Sequence, residues 1–389
     1  MPTLLSASAR TNLAIDIAKS LIQCPSITPN DAGCQRIIQS LLEPLGFHCE
    51  TINVNGVSNL IARIGNGERH IAFNGHTDVV PPGPMDLWQC DPFAANIIGD
   101  SLYGRGVADM KTGVAAMLAA CQQFDWHCLD PSTSFWFLIT SDEEGEAEDG
   151  SKAIKAYLDN QGVQFDSVLI GEPTASAHTG DTLKVGRRGS LSGTLLLNGK
   201  QGHVAYPSKA INAALLAAHV AHELSELPFA CGSEDFPGTS LQITQIDTGA
   251  FSDNIIPGRC TINFNVRYAS DFTEGELQTL IMTAVERVTS HYSITWQRPC
   301  TAYLSQPRNS ERCLIRLAEQ AIVDTTGRYP KLSTAGGTSD GRFFASEGTQ
   351  VVELGVPNTT IHQVNERVPL VEIKRLQRVY SRLLSSWLG

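Results

Sequence analysis

Two histidines and several carboxylates stand where short apolar segments of the chain end, and these side chains bind divalent metal ions. His76 follows the apolar run Ile71-Ala72-Phe73, and Asp78 comes two residues after His76. On an extended backbone, residues two apart point to the same side. The Asp78 carboxylate can therefore accept a hydrogen bond from a metal-bound His76 ring and fix its tautomer. The competing interpretation of so short a pattern is a loop histidine near a helix cap.

Acidic residues occupy similar positions further along the chain. Asp109 lies beside glycines that permit a tight turn, although it would also suit the N-cap of the helix that follows. Glu143 and Glu144 come directly after an apolar run, as does Glu172. Because successive residues of an extended chain point in opposite directions, one of the paired glutamates can bind a metal while its neighbour faces a substrate.

The last metal-binding candidate is a histidine near the C-terminus, where a single histidine would more often belong to the core or the surface. The complete set comprises two imidazoles and three carboxylates: His76, Asp109, Glu144, Glu172 and His362. This set suffices for two zinc ions, each with one histidine and one carboxylate of its own and both sharing the third carboxylate. Nitrogen and oxygen ligands without thiolate suit zinc, and cobalt or manganese can substitute.

Short apolar segments alternate with helical patterns over the first half of the chain. The predicted strands are residues 60–64, 70–74, 134–140 and 167–170, and the predicted helices are 13–23, 33–45 and 112–124. This alternation favours an α/β fold with a mixed, largely parallel sheet flanked by helices. Because open α/β sheets bind ligands at the carboxyl ends of their strands, the metal-ligand candidates are expected to converge there.

The pattern changes after about Lys184. Apolar residues then alternate strictly in the segment from Thr261 to Arg267, which indicates an antiparallel strand with one solvated face. The further predictions are strands at 191–197, 241–246 and 261–266, and helices at 210–226, 274–290 and 310–325. We therefore predict a catalytic domain of residues 1–183 and 301–389, interrupted by an inserted α+β domain of residues 184–300.

The amino-acid composition disfavours some classes of function. The 389 residues include 29 lysines and arginines against 40 acidic residues, a formal net charge of −11, which disfavours nucleic acid and anionic membranes as partners. The N-terminus has the pattern of an amphipathic helix rather than a signal peptide, and no apolar run is long enough to span a membrane. The ten cysteines show no C-x-x-C spacing, so reduced thiols and a cytoplasmic protein are expected.

The motifs GHTDVVP, GRGVADMK, TSDEEG and GEPT resemble those of the di-zinc aminoacylase and carboxypeptidase superfamily. Four longer motifs, RRGSLSG, GKQGHVAYP, GGTSDGRF and IHQVNE, are similar to those of its bacterial succinyl-diaminopimelate desuccinylase family. The resemblance implies a zinc-exopeptidase-like fold with an inserted lid/dimerisation domain, and a homodimer formed through that lid. It also implies hydrolysis of N-succinyl-LL-2,6-diaminopimelate to succinate and LL-2,6-diaminopimelate, in lysine and cell-wall precursor biosynthesis.

The resemblance also implies a role for each motif residue. Asp109 would bridge two zinc ions per subunit, with His76 and Glu172 completing one site and Glu144 and His362 the other. The expected catalytic residues are Asp78, which orients a histidine, Glu143, the general base, and His203, which reaches into the partner subunit's active site. The expected substrate-binding residues are Arg187, Arg188, Ser190, Tyr206, Asn254, Arg267, Thr338 and Asn358.

Several alternatives stay open at this point. An N-acyl amino acid deacylase of the acetylornithine deacetylase type, an aminoacylase or a dipeptidase would use the same zinc ligands, because a metal site does not fix the acyl group. A non-enzyme alternative is an inactive zinc-binding dimeric scaffold, although Glu143 argues against it, since a structural zinc site needs no free base. Arg267 could instead lie on the solvated face of its strand, and His203 could be an ordinary turn histidine.

Overall fold

The computed structural model describes residues 7–249 and 252–389. The chain divides into two compact units. The first unit comprises the chain up to Gly186 together with Ser305–Ser333 and Ser339–Gly389, and the second comprises Arg187–Leu304 and Thr334–Thr338. The assignment of catalytic and lid roles to residues 1–183, 301–389 and 184–300 stays a prediction.

Two main sheets account for most of the strands in the described residues. Their strands are β1 His48–Val54, β2 Val57–Ile64, β3 Arg69–His76, β4 Thr133–Thr140, β5 Phe165–Ile170, β6 Thr182–Lys184, β7 Gly189–Asn198, β8 Ser240–Asp247, β9 Arg259–Tyr268, β10 Tyr292–Cys300, β11 Lys331–Ser333 and β12 Gln350–Glu353. Shorter strands lie at Ile97–Ile98, Ser101–Tyr103, Gly186–Arg187, Gly202–His203, Ile255–Ile256, Tyr303–Leu304 and Arg367–Pro369. The α-helices are α1 Ala7–Ile22, α2 Cys34–Leu42, α3 Thr112–Gln123, α4 Ser151–Asp159, α5 Ala213–Ser225, α6 Glu274–Glu286, α7 Leu314–Thr326, α8 Gly341–Phe344 and α9 Leu370–Trp387.

The first unit is built on an eight-stranded sheet with the order β1-β2-β4-β3-β5-β12-β6-β11. The four central strands β4, β3, β5 and β12 run parallel, as do β6 and β11, whereas the other neighbouring pairs are antiparallel. Strand β4 is buried along its whole length, as a strand covered on both faces should be. Helices α1, α3, α7 and α9 pack in series around one hydrophobic core, and α4 and α8 pack together against the strands.

The predicted fold class is confirmed, because the sheet is mixed and largely parallel and helices flank it. Each segment predicted as a strand or helix lies on an observed one, with ends that differ by a few residues. The sequence pattern missed β1, an edge strand with exposed side chains that blur its alternation. It also missed helices α4, α8 and α9 and strands β6, β10, β11 and β12, and it extended α6 beyond its end at Glu286.

The second unit contains a four-stranded antiparallel sheet with the order β8-β9-β7-β10. Burial alternates along β9, as its sequence pattern predicted, and the buried side chains join a core with α5 and α6. Helix α6 begins with a capping box in which Thr273 and Glu276 bind each other's backbone N–H groups.

Across the described residues, no helix combines the length and the apolar character needed to cross a membrane.

Candidate metal centre

The metal-ligand candidates of the first unit lie at one edge of its sheet. His76 is the last residue of β3, Glu143 and Glu144 follow β4, and Glu172 follows β5. Because β4, β3 and β5 are adjacent and parallel, their carboxyl ends meet at the same edge. The structure thus brings together the side chains that the strand ends predicted.

His76, Asp109 and Glu172 form a first group whose ligand atoms all lie within 4.8 Å of one another. Nε2 of His76 lies 3.3 Å from Oδ1 of Asp109 and 3.5 Å from Oε1 of Glu172. All three side chains are buried. Separations of this size, with the ligand atoms facing a common centre, are what an ion held between them requires.

Asp109, Glu144 and His362 form a second group of the same kind. Nε2 of His362 lies 2.9 Å from Oε1 of Glu144 and 3.5 Å from Oδ2 of Asp109. Asp109 therefore presents one carboxylate oxygen to each group, which is the geometry of a bridging ligand. The helix-cap alternative for Asp109 is wrong, because α3 has Lys111 at its N-cap position and no side-chain cap there.

Asp78 connects the first histidine to the loop that carries the paired glutamates. Its carbonyl oxygen lies 2.9 Å from Nδ1 of His76, and its Oδ1 lies 3.5 Å from the same nitrogen. Its carboxylate also accepts hydrogen bonds from the backbone N–H groups of Glu143 and Glu144, at 3.3 and 3.0 Å. Asp78 is fully buried, so these contacts hold the Nδ1 side of the ring and leave Nε2 facing the other ligands.

Sequence reasoning missed Glu366, a buried carboxylate four residues after a ligand histidine. Its Oε1 accepts hydrogen bonds from the backbone N–H groups of Ala108 at 2.8 Å and Asp109 at 3.3 Å. Its Oε2 accepts from the Gly106 N–H at 3.0 Å and from Arg105 at 2.7 Å. One side chain thus clamps the turn that carries the shared ligand, and its place in the IHQVNE motif was the available signal.

The metal-ligand groups concentrate negative charge in a buried place. Burial, followed by the charge of Asp109, raises the pKa of Glu172 to about 8. Burial also raises the pKa of Glu143 well above its usual value, and the charge of Glu172 adds to that effect. Hydrogen bonds to Asp109 and Glu144 raise the pKa of His362 to about 10. Burial, together with the surrounding negative charge, therefore makes the carboxyl groups of Glu172 and Glu143 retain protons, and hydrogen bonds to carboxylates do the same for His362.

A pair of divalent cations fits this donor set. The two groups offer imidazole nitrogen and carboxylate oxygen, share one carboxylate and contain no thiolate, which is a combination suited to zinc. Metal ligands must give up their protons. Cations at these two places would therefore replace the protons that Glu172 and His362 otherwise retain.

Five of the predicted substrate residues lie together in the second unit. Ser190 on β7 pairs with Arg267 on β9. Burial, and then the charge of Arg267, lowers the pKa of Arg188, which places the two guanidinium groups near each other. Arg187 donates a hydrogen bond of 3.5 Å to the residue before Thr338. Such a group of cationic and hydroxyl side chains can bind carboxylates.

A second set in this unit comprises His203, Tyr206 and Asn254. His203 pairs with Ile255 in a short ladder, and its Nδ1 accepts the Ala205 N–H at 3.1 Å. The rings of His203 and Tyr206 lie 5.9 Å apart. Because Nδ1 is an acceptor here, a neutral His203 carries its proton on Nε2, where it can donate to another molecule.

The two sets lie at opposite ends of the same strands. Ser190 pairs with Arg267 at one end of the β7–β9 ladder, and Asn198 pairs with Arg259 at the other, beyond which His203 lies. The eight steps from Ser190 to Asn198 span roughly 26 Å on an extended strand. One copy of this unit therefore does not bring the two sets together on a small molecule.

The remaining substrate candidate, Asn358, lies in the first unit. It is exposed, and its backbone N–H donates to the carbonyl of Ala175 at 3.0 Å. It lies four residues before His362, so the same loop carries a substrate candidate and a metal-ligand candidate.

The chain is similar to known proteins over nearly its whole length. The model of peptidase family M20/M25/M40 matches residues 72–386. The chain is 53% identical to succinyl-diaminopimelate desuccinylase 1 of Alteromonas mediterranea, over 99% of this chain and 98% of that protein. It is 47% identical to succinyl-diaminopimelate desuccinylase 2 of Shewanella loihica, over 94% of this chain and 98% of that protein.

Among solved structures, the fold is similar to that of the aminopeptidase PepT from Bacillus cereus. The TM-score is 0.78 at 20% identity, with 97% of this chain and 99% of that chain covered. The family resemblance predicted from the motifs is confirmed by the sequence relatives. The chain therefore belongs to peptidase family M20/M25/M40, a family of metal-dependent hydrolases.

Proposed function

We propose that this protein is a di-zinc amidohydrolase that hydrolyses N-succinyl-LL-2,6-diaminopimelate to succinate and LL-2,6-diaminopimelate. The observation that carries the proposal is the pair of ligand groups sharing Asp109, with Glu143 close by at 3.9 Å from Nε2 of His76. A metal pair with a free carboxylate beside it is equipped to hydrolyse an amide. The names of the two desuccinylase relatives support the succinyl group as the acyl group removed.

Within this proposal Asp109 would be the ligand shared by the two metals, His76 and Glu172 would complete one site, and Glu144 and His362 would complete the other. Zinc, when bound, lowers the pKa of water to near neutrality and polarises the amide carbonyl; cobalt would substitute. The protein contributes the fixed ligand positions. Asp78 and Glu366 hold two of those ligands through buried hydrogen bonds.

Glu143 acts as the general base and acid. It takes a proton from the attacking water and returns it to the leaving amine nitrogen. Burial raises the pKa of Glu143 well above its usual value, and the charge of bound cations would act in the opposite direction. Its own backbone N–H is bound by Asp78, so the carboxylate is aimed by the same residue that orients His76.

Arginines of the second unit recognise the substrate. The proposed substrate carries three carboxylates, and arginine binds carboxylates through charge-assisted, often bidentate, hydrogen bonds. Arg188 and Arg267 lie near each other beside Ser190. In a protein with a net charge of −11, such a local cationic group favours a small polyanionic substrate over nucleic acid or a membrane surface.

A homodimer formed through the second unit completes the site. The two sets of substrate residues lie at opposite ends of β7, whose span from Ser190 to Asn198 is roughly 26 Å, whereas an N-succinyl amino acid of this size spans roughly 11–14 Å when extended. One substrate can therefore meet both sets only when a second subunit supplies one of them. We infer that His203 of the partner subunit donates its Nε2 proton to the developing oxyanion, and that the enzyme works in the cytoplasm.

Substrate specificity provides the direct test. One zinc-loaded preparation should be offered N-succinyl-LL-2,6-diaminopimelate, N-acetylornithine and a dipeptide of alanine at equal concentrations, with amine release measured by ninhydrin chemistry. We expect the succinyl substrate to give the highest kcat/KM, and activity to disappear on treatment with a chelator and return with zinc. Preference for the acetyl or dipeptide substrate would replace the proposed acyl specificity. Zinc binding without any hydrolysis would favour a non-catalytic scaffold.

A further inference from the structure

Two cysteines of the first unit, Cys24 and Cys34, place their thiols against the carbonyl groups of two successive residues at the end of helix α1. Cys34 begins helix α2 and is fully buried, whereas Cys24 follows α1 and is half-buried. Each sulfur approaches a carbonyl of α1, that of Cys24 at 3.6 Å from Ser20 and that of Cys34 at 3.6 Å from Leu21. Neither thiol belongs to the metal-ligand groups. The two thiols therefore lie near each other at the same end of α1.

The two thiols differ in burial, and a buried cation lies beside them. Lys111 is fully buried, and its Nζ donates to the carbonyl oxygens of Leu21 at 2.8 Å and Cys24 at 2.9 Å. The hydrogen bond from Cys34 lowers the pKa of Cys24 to about 7; burial and Asp31 oppose this, and the charge of Lys111 supports it. The same hydrogen bond, and then burial, raises the pKa of Cys34. Cys24, the less buried of the two thiols, is thus placed to react first, and buried Cys34 is placed to resolve its oxidised form.

We propose that Cys24 and Cys34 form a redox-sensitive site whose co-reactant is a hydroperoxide. The Cys24 thiolate attacks the peroxide: an S–O bond forms, the O–O bond breaks, and the departing oxygen takes a proton to give an alcohol or water. The sulfur of Cys34 then attacks the resulting sulfenic acid, so that an S–S bond forms, the S–O bond breaks and water leaves. The two thiols lose two electrons and the hydroperoxide gains them. Disulfides of this transient kind occur even in reducing compartments.

The segment between the two cysteines contacts the strand end that carries His76. Ser26 Oγ donates to the carbonyl of Thr77 at 2.6 Å, and the Val79 N–H donates to the carbonyl of Ser26 at 2.9 Å. Thr77 Oγ1 donates in turn to Asp31 at 3.0 Å. Because Thr77 follows His76 directly, a disulfide that shifts this segment also shifts a metal ligand. Oxidation therefore weakens metal binding, and reduction restores it.

The first test maps the disulfide in the zinc-loaded, full-length protein after treatment with hydrogen peroxide. We expect a peptide linked through Cys24 and Cys34 in a non-reducing digest, which dithiothreitol separates again. Cys24→Ser should abolish the linked peptide. Cys128→Ser, which removes an exposed thiol, should leave it unchanged and serves as the matched control. Stable oxidation of Cys24 to the sulfinic acid without linkage, or linkage to another cysteine, would overturn the site.

The second test measures zinc affinity of the oxidised and reduced proteins by competition with a chromophoric chelator. The proposed effect of oxidation on zinc affinity depends on the proposed zinc site and so on the proposed function, whereas formation of the disulfide does not. Either proposal can therefore be disproved without the other. We expect oxidation to weaken zinc binding by about tenfold, the size of effect seen when the surroundings of a ligand are disturbed. The Cys24→Ser protein should show no change on peroxide treatment. Equal zinc affinity in the disulfide-linked and reduced proteins would overturn the coupling.

Discussion

The metal-ligand groups of the first unit and the substrate candidates of the second differ in how fully the chain fixes them. His76 and Asp109 are buried and contact several other polar side chains. In the second unit, Tyr206 is 61% exposed and His203 and Asn254 are exposed as well. The metal-ligand candidates are thus held in place within one unit, whereas exposed His203, Tyr206 and Asn254 are available to contact a substrate or a partner. The substitutions proposed below test, in turn, the reacting group, an exposed residue expected to contact the substrate, and the side chains that support the metal ligands.

The largest effect is expected at Glu143, where the first unit supplies a reacting group rather than a ligand. Glu143→Ala should lower kcat by about 10²–10⁴-fold because the water loses its general base. Zinc content should stay the same, since Glu143 lies outside both ligand groups. Kinetics and metal analysis on the same sample check this. Glu146→Ala, which alters an exposed carboxylate of the same loop, is the control, and near-normal turnover in Glu143→Ala would refute the base assignment.

The next effect concerns His203 and tests whether an exposed residue of the second unit acts across subunits. His203→Ala should lower kcat by about 10²–10³-fold, the usual cost of losing an oxyanion donor. Mixing His203→Ala with Glu143→Ala protein should restore part of the activity, because a hybrid dimer contains one site with both residues. His222→Ala, another exposed histidine of this unit, should remain active. Absence of rescue in the mixture would contradict donation by the partner subunit.

The next prediction concerns Glu366, whose carboxylate binds the turn that carries the shared ligand candidate Asp109. Glu366→Gln replaces an acceptor of four hydrogen bonds with an amide whose NH₂ group faces N–H donors, and it leaves buried Arg105 without its counter-charge. We expect zinc affinity to fall by about 10–100-fold and the free energy of unfolding to fall by about 3–5 kcal/mol. Chelator competition and urea denaturation measure the two effects. Unchanged zinc affinity would show that the turn carrying Asp109 keeps its shape without the clamp.

The sequence predicts the metal groups better than their support, and the reason is physical. His76, Glu143 and Glu172 stand at the ends of apolar strands, a signal that is local in sequence, and parallel pairing then brings strand ends together. Glu366, by contrast, binds the backbone of residues about 260 positions earlier. The IHQVNE motif includes Glu366 but does not show which backbone groups its carboxylate binds, because that contact exists only once the chain has folded.

The secondary-structure elements also differ in how well the sequence predicts them. Strongly apolar β4 was predictable because burial on both faces leaves a continuous apolar run. Edge strand β1 and its mixed exposure gave no clear alternation. Cys24 and Cys34 likewise stand ten positions apart without a known spacing motif, and their contact depends on how α2 folds back after α1. Sequence patterns thus indicate which segments are buried, whereas polar contacts between residues far apart in sequence can be identified only in the folded chain.

The smallest effect is expected at Glu372, a buried carboxylate of the first unit that serves as the matched control for Glu366. It accepts a hydrogen bond from the Thr179 N–H at 2.7 Å and pairs with Arg375. Burial acts to raise the pKa of Glu372, but these two partners outweigh it and lower the pKa below its usual value. A folded-state pKa below the unfolded value of about 4.3 means that the carboxylate stabilises the fold at neutral pH. That stabilisation is lost as the pH falls through the folded-state pKa.

Glu372→Gln should therefore lower the free energy of unfolding by about 1–3 kcal/mol at neutral pH. The difference from the unaltered protein should shrink as the pH falls through the folded-state pKa of Glu372, because the native carboxylate is then protonated too. Urea denaturation at a series of pH values measures this. Zinc affinity should stay unchanged, since Glu372 contacts neither ligand group nor the turn of Asp109 in the hydrogen bonds found among the described residues. If Glu372→Gln lost zinc as readily as Glu366→Gln, general destabilisation would explain the loss of zinc in both variants. The hydrogen bonds from Glu366 to the turn of Asp109 would then not be needed to explain how the first unit holds its metal ligands.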